Sequence, residues 1–277
     1  MVCDAAGHGF VGRLSRTWAR GRALAIAVPL LLGIGCSKSA DDGASVGREA
    51  ITAPAFVQAS YAAPQSAPSS VAVTLGAAQA AGDLVVVVVG WHDTVAQVSS
   101  VADSAKDVFV RAVGPTARGT QVSQSIYYAA NVASWAAGNV VTVKFNRGAQ
   151  KPDIRILEYR NVDAAHPIDV TVAGSGSSAT ASSGSLVTTR ANDLLVAADT
   201  VSTHTTGPGS GFTSRVLTSP DGDIAEDRVA ATAGSYGATA PLSSTGSWVM
   251  QTVAFRAHDI QAPSAPANLV ATAASTR

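Results

Sequence analysis

Side chains able to do chemistry are few in this sequence, and they fall into three groups. The first is acidic. Asp221, Asp223, Glu226 and Asp227 crowd around Gly222, and carboxylate oxygens gathered in one turn are the ligands a calcium ion takes. Their spacing differs from an EF-hand loop, so the stretch reads as a solvated acidic turn or a candidate calcium site, with no other cofactor implied. Glu158 lies in an apolar stretch. On a strand it shares one face with Ile154 and Ile156, while Arg155, Leu157 and Tyr159 take the other. A carboxylate on an apolar face needs a partner, which Arg215 or Arg228 is expected to supply. Glu158 and Glu226 would make a glycosidase pair if the fold set them across one glycosidic bond.

The second group is aromatic. Trp91, Trp135, Trp248, Tyr127 and Tyr128 have flat faces of the kind that stack on sugar rings, and they also bury large apolar areas. Trp248 and one of the two adjacent tyrosines are expected in the core, because neighbours on a strand point to opposite sides. That leaves Trp91, Trp135 and Tyr127 as candidate ligand-binding residues. The third group, His92, His166 and His204, has no metal-ligand spacing and reads as surface histidine. Gly174-Ser175-Gly176-Ser177-Ser178-Ala179 has the glycine spacing of a dinucleotide fingerprint, but Thr180 to Ser185 continues as Ser/Gly loop where a helix is required. A Gly-x-Ser-x-Gly elbow is missing from residues 55–257 as well. No catalytic residue is assigned.

The elements that must position these residues are strands. The chain has 277 residues, 47% hydrophobic and 14% charged, and no stretch of it keeps a helical period. Val71 to Leu75 alternates, and Leu84 to Val89 is a continuous apolar run expected to be a central strand buried on both faces. Further strands are expected at 108–113, 124–129, 140–145, 154–159, 185–188, 194–198, 212–217, 228–232 and 248–255. Ala81-Gly82-Asp83-Leu84-Val85-Val86 parallels Ala191-Asn192-Asp193-Leu194-Leu195-Val196, and Val141 to Phe145 parallels Gln251 to Phe255. The fold expected for residues 55–257 is therefore an all-β antiparallel sandwich, jelly-roll-like, with two duplicated halves forming one domain.

Ahead of this body, Arg13, Arg16, Arg20 and Arg22 precede the apolar run from Ala23 to Ile34, with Cys36 just behind it. Residues 1–35 read as a secretory signal and 36–54 as a disordered tether. Cys36 after the apolar run resembles the lipobox of bacterial lipoproteins, although Gly33 stands where that family prefers Leu. The resemblance implies lipidation of Cys36 and attachment to a membrane, with Ser37 suiting the outer membrane. Cys3 and Cys36 are the two cysteines, so the body has no disulfide. Without the first 35 residues, 15 basic and 18 acidic residues remain, a net charge of −3 with no Lys/Arg cluster, which argues against nucleic acid as a partner.

The body resembles an uncharacterised module of secreted bacterial proteins. The resemblance is carried by Gly82-Asp83-Leu84-Val85, Trp91, Ser100 to Ser104, Ile126-Tyr127-Tyr128-Ala129, Leu157-Glu158-Tyr159, Glu226-Asp227-Arg228 and Trp248-Val249-Met250 in that order. Residues 258–277 follow as a linker, and Ala262-Pro263-Ser264-Ala265-Pro266-Ala267-Asn268-Leu269-Val270-Ala271 resembles the opening of a bacterial fibronectin type III domain, cut short. These resemblances imply architecture and location. The function expected is a monomeric cell-envelope or extracellular lipoprotein carrying a non-catalytic binding, adhesion or spacer module, directed at polysaccharide or a cell surface. The alternative is a secreted glycan-active hydrolase or an accessory module of one.

Overall fold

The computed structural model describes residues 52–259. The leader, Cys36, most of the tether and the fibronectin-like opening lie outside the described residues. Within them are thirteen strands and no helix. The first eight are β1 (Ala55–Ala62), β2 (Ser70–Thr74), β3 (Leu84–Trp91), β4 (Val98–Asp103), β5 (Val110–Arg118), β6 (Val122–Ala129), β7 (Val140–Phe145) and β8 (Asp153–Arg160). The other five are β9 (Ile168–Thr188), β10 (Asp193–Val201), β11 (Thr213–Leu217), β12 (Ile224–Ala230) and β13 (Gly234–Phe255). They form three antiparallel sheets, with orders β1-β8-β3-β6-β5, β11-β12-β10-β13-β9 and β2-β7-β4. The all-β antiparallel sandwich expected from the sequence is what the chain forms.

The valine run organises the first half. Leu84, Val86 and Val88 of β3 point into one core, and Val85, Val87, Val89 and Trp91 into another. A strand buried on both faces must be covered on both sides. The small sheet β2-β7-β4 covers one side through Val71, Val73, Val141, Val143 and Phe145. The second five-stranded sheet covers the other with Leu194, Val196, Ala198, Val253 and Phe255. Each valine so enclosed contributes about 1.5–3 kcal/mol of burial free energy.

β10 does in the second half what β3 does in the first. Its Leu194, Val196 and Ala198 face the shared core, while Leu195, Ala197 and Val201 face a third core. The cover on that outer side comes from β9 and β13, which are 21 and 22 residues long. Their ladder runs from Phe255↔Ile168 to Gly234↔Thr188 and slips register between Pro241 and Gly246. Beyond the slip, Ala181, Leu186, Ala238, Ala240 and Leu242 pack over the outer face of β10. The Ser/Gly stretch 180–185, expected as loop, is therefore strand. Its low apolar content reflects a layer with only one face against a core. The acidic stretch is also not a turn throughout, since Glu226 and Asp227 lie inside β12.

The two large sheets are wired alike. Each central strand pairs on both sides, β3 with β6 and β8, and β10 with β12 and β13. The residue two places before each apolar run adopts a left-handed conformation, with φ +91° at Gly82 and +65° at Asn192. Gly and Asn are the residues that take this conformation most readily, which explains their shared position before Asp83 and Asp193. Gly90 marks a close approach of the halves, because a Cβ there would collide with the Oγ1 of Thr200. Gly90→Ala is expected to lower stability by about 1–3 kcal/mol, as overpacking does, read from denaturant midpoints of the protein and the variant.

Candidate functional site

At one end of the paired sheets, loops from both halves enclose a polar cleft of ≈ 270 Å³. His92 directly follows β3, and Ser202, Thr203 and His204 directly follow β10, so the two central strands deliver their next residues to the same place. Gln65 from the β1–β2 connection, Lys151 from β7–β8, and Pro220 and Asp221 from β11–β12 complete the lining. Gln65 Nε2 donates to Asp221 Oδ1 at 2.9 Å and reaches Oδ2 at 3.0 Å, tying the halves across the cleft. The His204 Nε2 lies 3.0 Å from the Pro220 carbonyl oxygen. Burial pushes the His92 imidazole below its ordinary pKa against the opposing pull of Asp221, so it is neutral at neutral pH. Its Nε2 is buried and has no hydrogen-bond partner within the chain.

Behind the cleft the joint is polar and buried. Arg155, fully buried, donates through Nη1 to the carbonyl oxygens of Asp199 at 2.7 Å and Ile224 at 2.6 Å. Its Nε stands 2.7 Å from Asp153 Oδ1. Gln124 donates to the Ala198 carbonyl at 2.8 Å and accepts from the Thr200 hydroxyl at 2.8 Å, while Gln251 donates to the Gln124 carbonyl at 3.0 Å. Asp199 accepts from Thr205 Oγ1 at 2.6 Å and from the Ile224 amide at 2.9 Å, and burial pushes its carboxyl up to about 6. Burial also raises the carboxyls of Asp153 and Asp223.

The aromatic candidates do not converge. Trp91 is only 1% exposed and packs edge-on against Phe145 in the first core, so it is unable to line a ligand face. A residue ending a central strand is buried when loops cap the sheet end. Trp135 is 39% exposed and bonds to Gln79, ahead of the start of β3. Trp91 sits at the other end of that strand, about 20 Å away at the usual rise per residue. Tyr127 is half-buried beside the first core.

The acidic candidates are parted by strand alternation. Asp221 lines the cleft, and Asp223 accepts from the Val201 amide at 2.8 Å. Glu226 accepts from the Gly209 amide at 2.8 Å, and Asp227 pairs with Arg215 Nε at 2.7 Å. Among the described residues no group of three or more His, Cys, Asp or Glu side chains is placed to hold a metal ion. Glu158 takes neither arginine as its partner. Gln58 Nε2 donates to it at 2.5 Å and Asp83 lies beside it, while Arg228 stacks over Tyr236. Burial first, then the neighbouring Asp83, pushes Glu158 up to about 7, and burial does the same to Glu226. Glu158 shares the face of Ile156 toward the first core, and Glu226 shares the face of Ile224 toward the third. Two sheets stand between them, so they are not a glycosidase pair.

The sequence reading missed the meeting of His92 and His204, which are separated by more than a hundred residues. The available signal was the parallel between the strands that precede them. His166 is exposed elsewhere. The chain matches no protein-family model, no curated protein and no solved structure.

Two outcomes follow from these placements. Trp91→Ala should cost about 3–5 kcal/mol in chemical denaturation, and Trp135→Ala no more than about 0.5 kcal/mol. Because the Glu158 pKa is higher folded than unfolded, its favourable contribution is complete in acid and lost as pH rises through about 7. Glu158→Gln should therefore match the native midpoint near pH 5 and equal or exceed it near pH 8, about one unit above that value.

Proposed function

We propose that the protein is an exported, lipid-anchored β-sandwich module that binds polysaccharide without cleaving it, through the cleft between its two halves. The observation that carries this reading is the cleft's lining. Asp221 offers carboxylate oxygens, His92 an unpartnered ring nitrogen, and Gln65, Lys151, Ser202 and Thr203 short-range donors and acceptors. Adjacent sugar hydroxyls each donate and accept, so a wall of mixed donors and acceptors suits them better than it suits an apolar ligand. Lectin domains commonly use the jelly-roll wiring of two packed sheets. We read the halves as copies of one such pattern, a view supported by their matching pairing order and by the left-handed turns at Gly82 and Asn192. The lipid anchor rests on the position of Cys36 after the apolar run.

The test is binding of the protein to a panel of soluble polysaccharides while reducing ends are followed. The expected result is saturable binding with no release of reducing ends, weakened about tenfold or more by His92→Ala or Asp221→Asn, as loss of a hydrogen bond to a charged or buried group predicts. Trp135→Ala should bind normally. Release of reducing ends would favour the hydrolase instead, and absence of binding across the panel would leave a spacer.

A further inference from the structure

The joint beneath the cleft holds more negative charge than it can neutralise. Asp153 comes two residues after Lys151 and Asp223 two after Asp221, so each lies directly behind a residue of the cleft wall, one from each half. Both are fully buried. Asp153 has the Arg155 Nε and the Thr218 hydroxyl beside it, while the Oδ2 of Asp223 receives no hydrogen bond. Arg155 is the cation among them, and its Nη1 is already committed to two carbonyl oxygens. Asp199, on the opposite face of β10, adds another buried carboxylate behind them. From the remaining packed elements, β6 and β13 contribute the uncharged Gln124 and Gln251. The cleft side contributes Lys151, Asp221, His92 and His204. Two buried carboxylates facing one guanidinium, with a third close by, cannot all stay ionised without a large desolvation cost. A proton is the neutralising species that needs no coordination site of its own.

We propose that the buried carboxyls of Asp153 and Asp223 together carry one proton in the folded molecule, and that its loss loosens the joint and with it the cleft. This rests on the cleft being the ligand site, and it makes ligand binding tighter in mildly acidic surroundings. The direction follows from linkage. A carboxyl that holds its proton more firmly folded than unfolded gives stability that is complete in acid and declines as pH rises through the folded pKa. Burial raises the carboxyls of Asp153 and Asp223, so the decline lies above the ordinary carboxylate range.

The test reads stability and amide exchange, neither of which involves a ligand, so a failure of polysaccharide binding leaves it intact. Asp223→Asn keeps an oxygen for the Val201 amide but carries no charge. Its denaturation midpoint should match the native one near pH 5 and exceed it by a margin that grows as pH is raised to about 8 and beyond. An equal offset at both pH values would overturn the proposal. Asp153→Asn tests the same charge from the other half. In the native protein, hydrogen exchange at the amides of Val201 and Ile224, which donate to Asp223 and Asp199, should lose about tenfold or more in protection between those pH values. Constant protection there, or full recovery on adding calcium chloride at the higher pH, would overturn it, the latter in favour of a bound cation.

Discussion

A strand of eight buried residues, Leu84 to Trp91, presents apolar side chains to both sides of its sheet, and neither side can be left in water. One side is closed by a three-stranded sheet from the same half. The other is closed by the entire second half, whose own central strand, Asp193 to Val201, is buried throughout and needs covering in the same way. The two needs are met together in the shared core, where Val86 and Val88 meet Leu194, Val196 and Phe255. The four-layered arrangement follows from this. Neither half has an inner sheet that would be stable with that face exposed, so the molecule is a single cooperative body and not two beads.

The contact is apolar at one end and polar at the other. Phe56, Tyr159, Tyr128 and Phe255 pack in edge-on pairs at the apolar end. Arg155, Gln124, Thr200 and Gln251 cross-link the halves at the polar end, largely through backbone carbonyls. Apolar area supplies the bulk of the attraction, whereas the hydrogen bonds fix one register, because a slip would strand buried donors and acceptors. The cleft lies at the polar end, where loops emerge and the side chains that would bind a ligand are held by the groups that fix the halves.

Much of the architecture was legible in the sequence. The valine run announced a strand buried on both faces, and nearly every alternating segment became a strand. The outer limbs of β9 and β13 were illegible, because Ser, Gly, Thr and Ala carry little periodic signal even where the backbone pairs continuously. The candidate site was read less well. Trp91 looked like a ligand platform and is core, since a one-dimensional pattern does not say which strand ends are capped. Asp221 was singled out and does line the cleft, but its neighbours were scattered by alternation along β12. Asp153, Arg155 and Gln124 gave no warning at all, for their role depends on packing partners tens of residues away in the chain.

The bent ladder of β9 and β13 also sets how the layers are joined. In the second half the same two strands run through the inner and outer layers, so those layers share one pair of strands whose ladder resumes beyond the slip between Pro241 and Gly246. In the first half the outer sheet β2-β7-β4 is a separate sheet, tied to the inner one by loops and side-chain packing. That asymmetry makes the two layers of the second half one piece of backbone, whereas the outer layer of the first half is joined to its neighbour without a shared ladder.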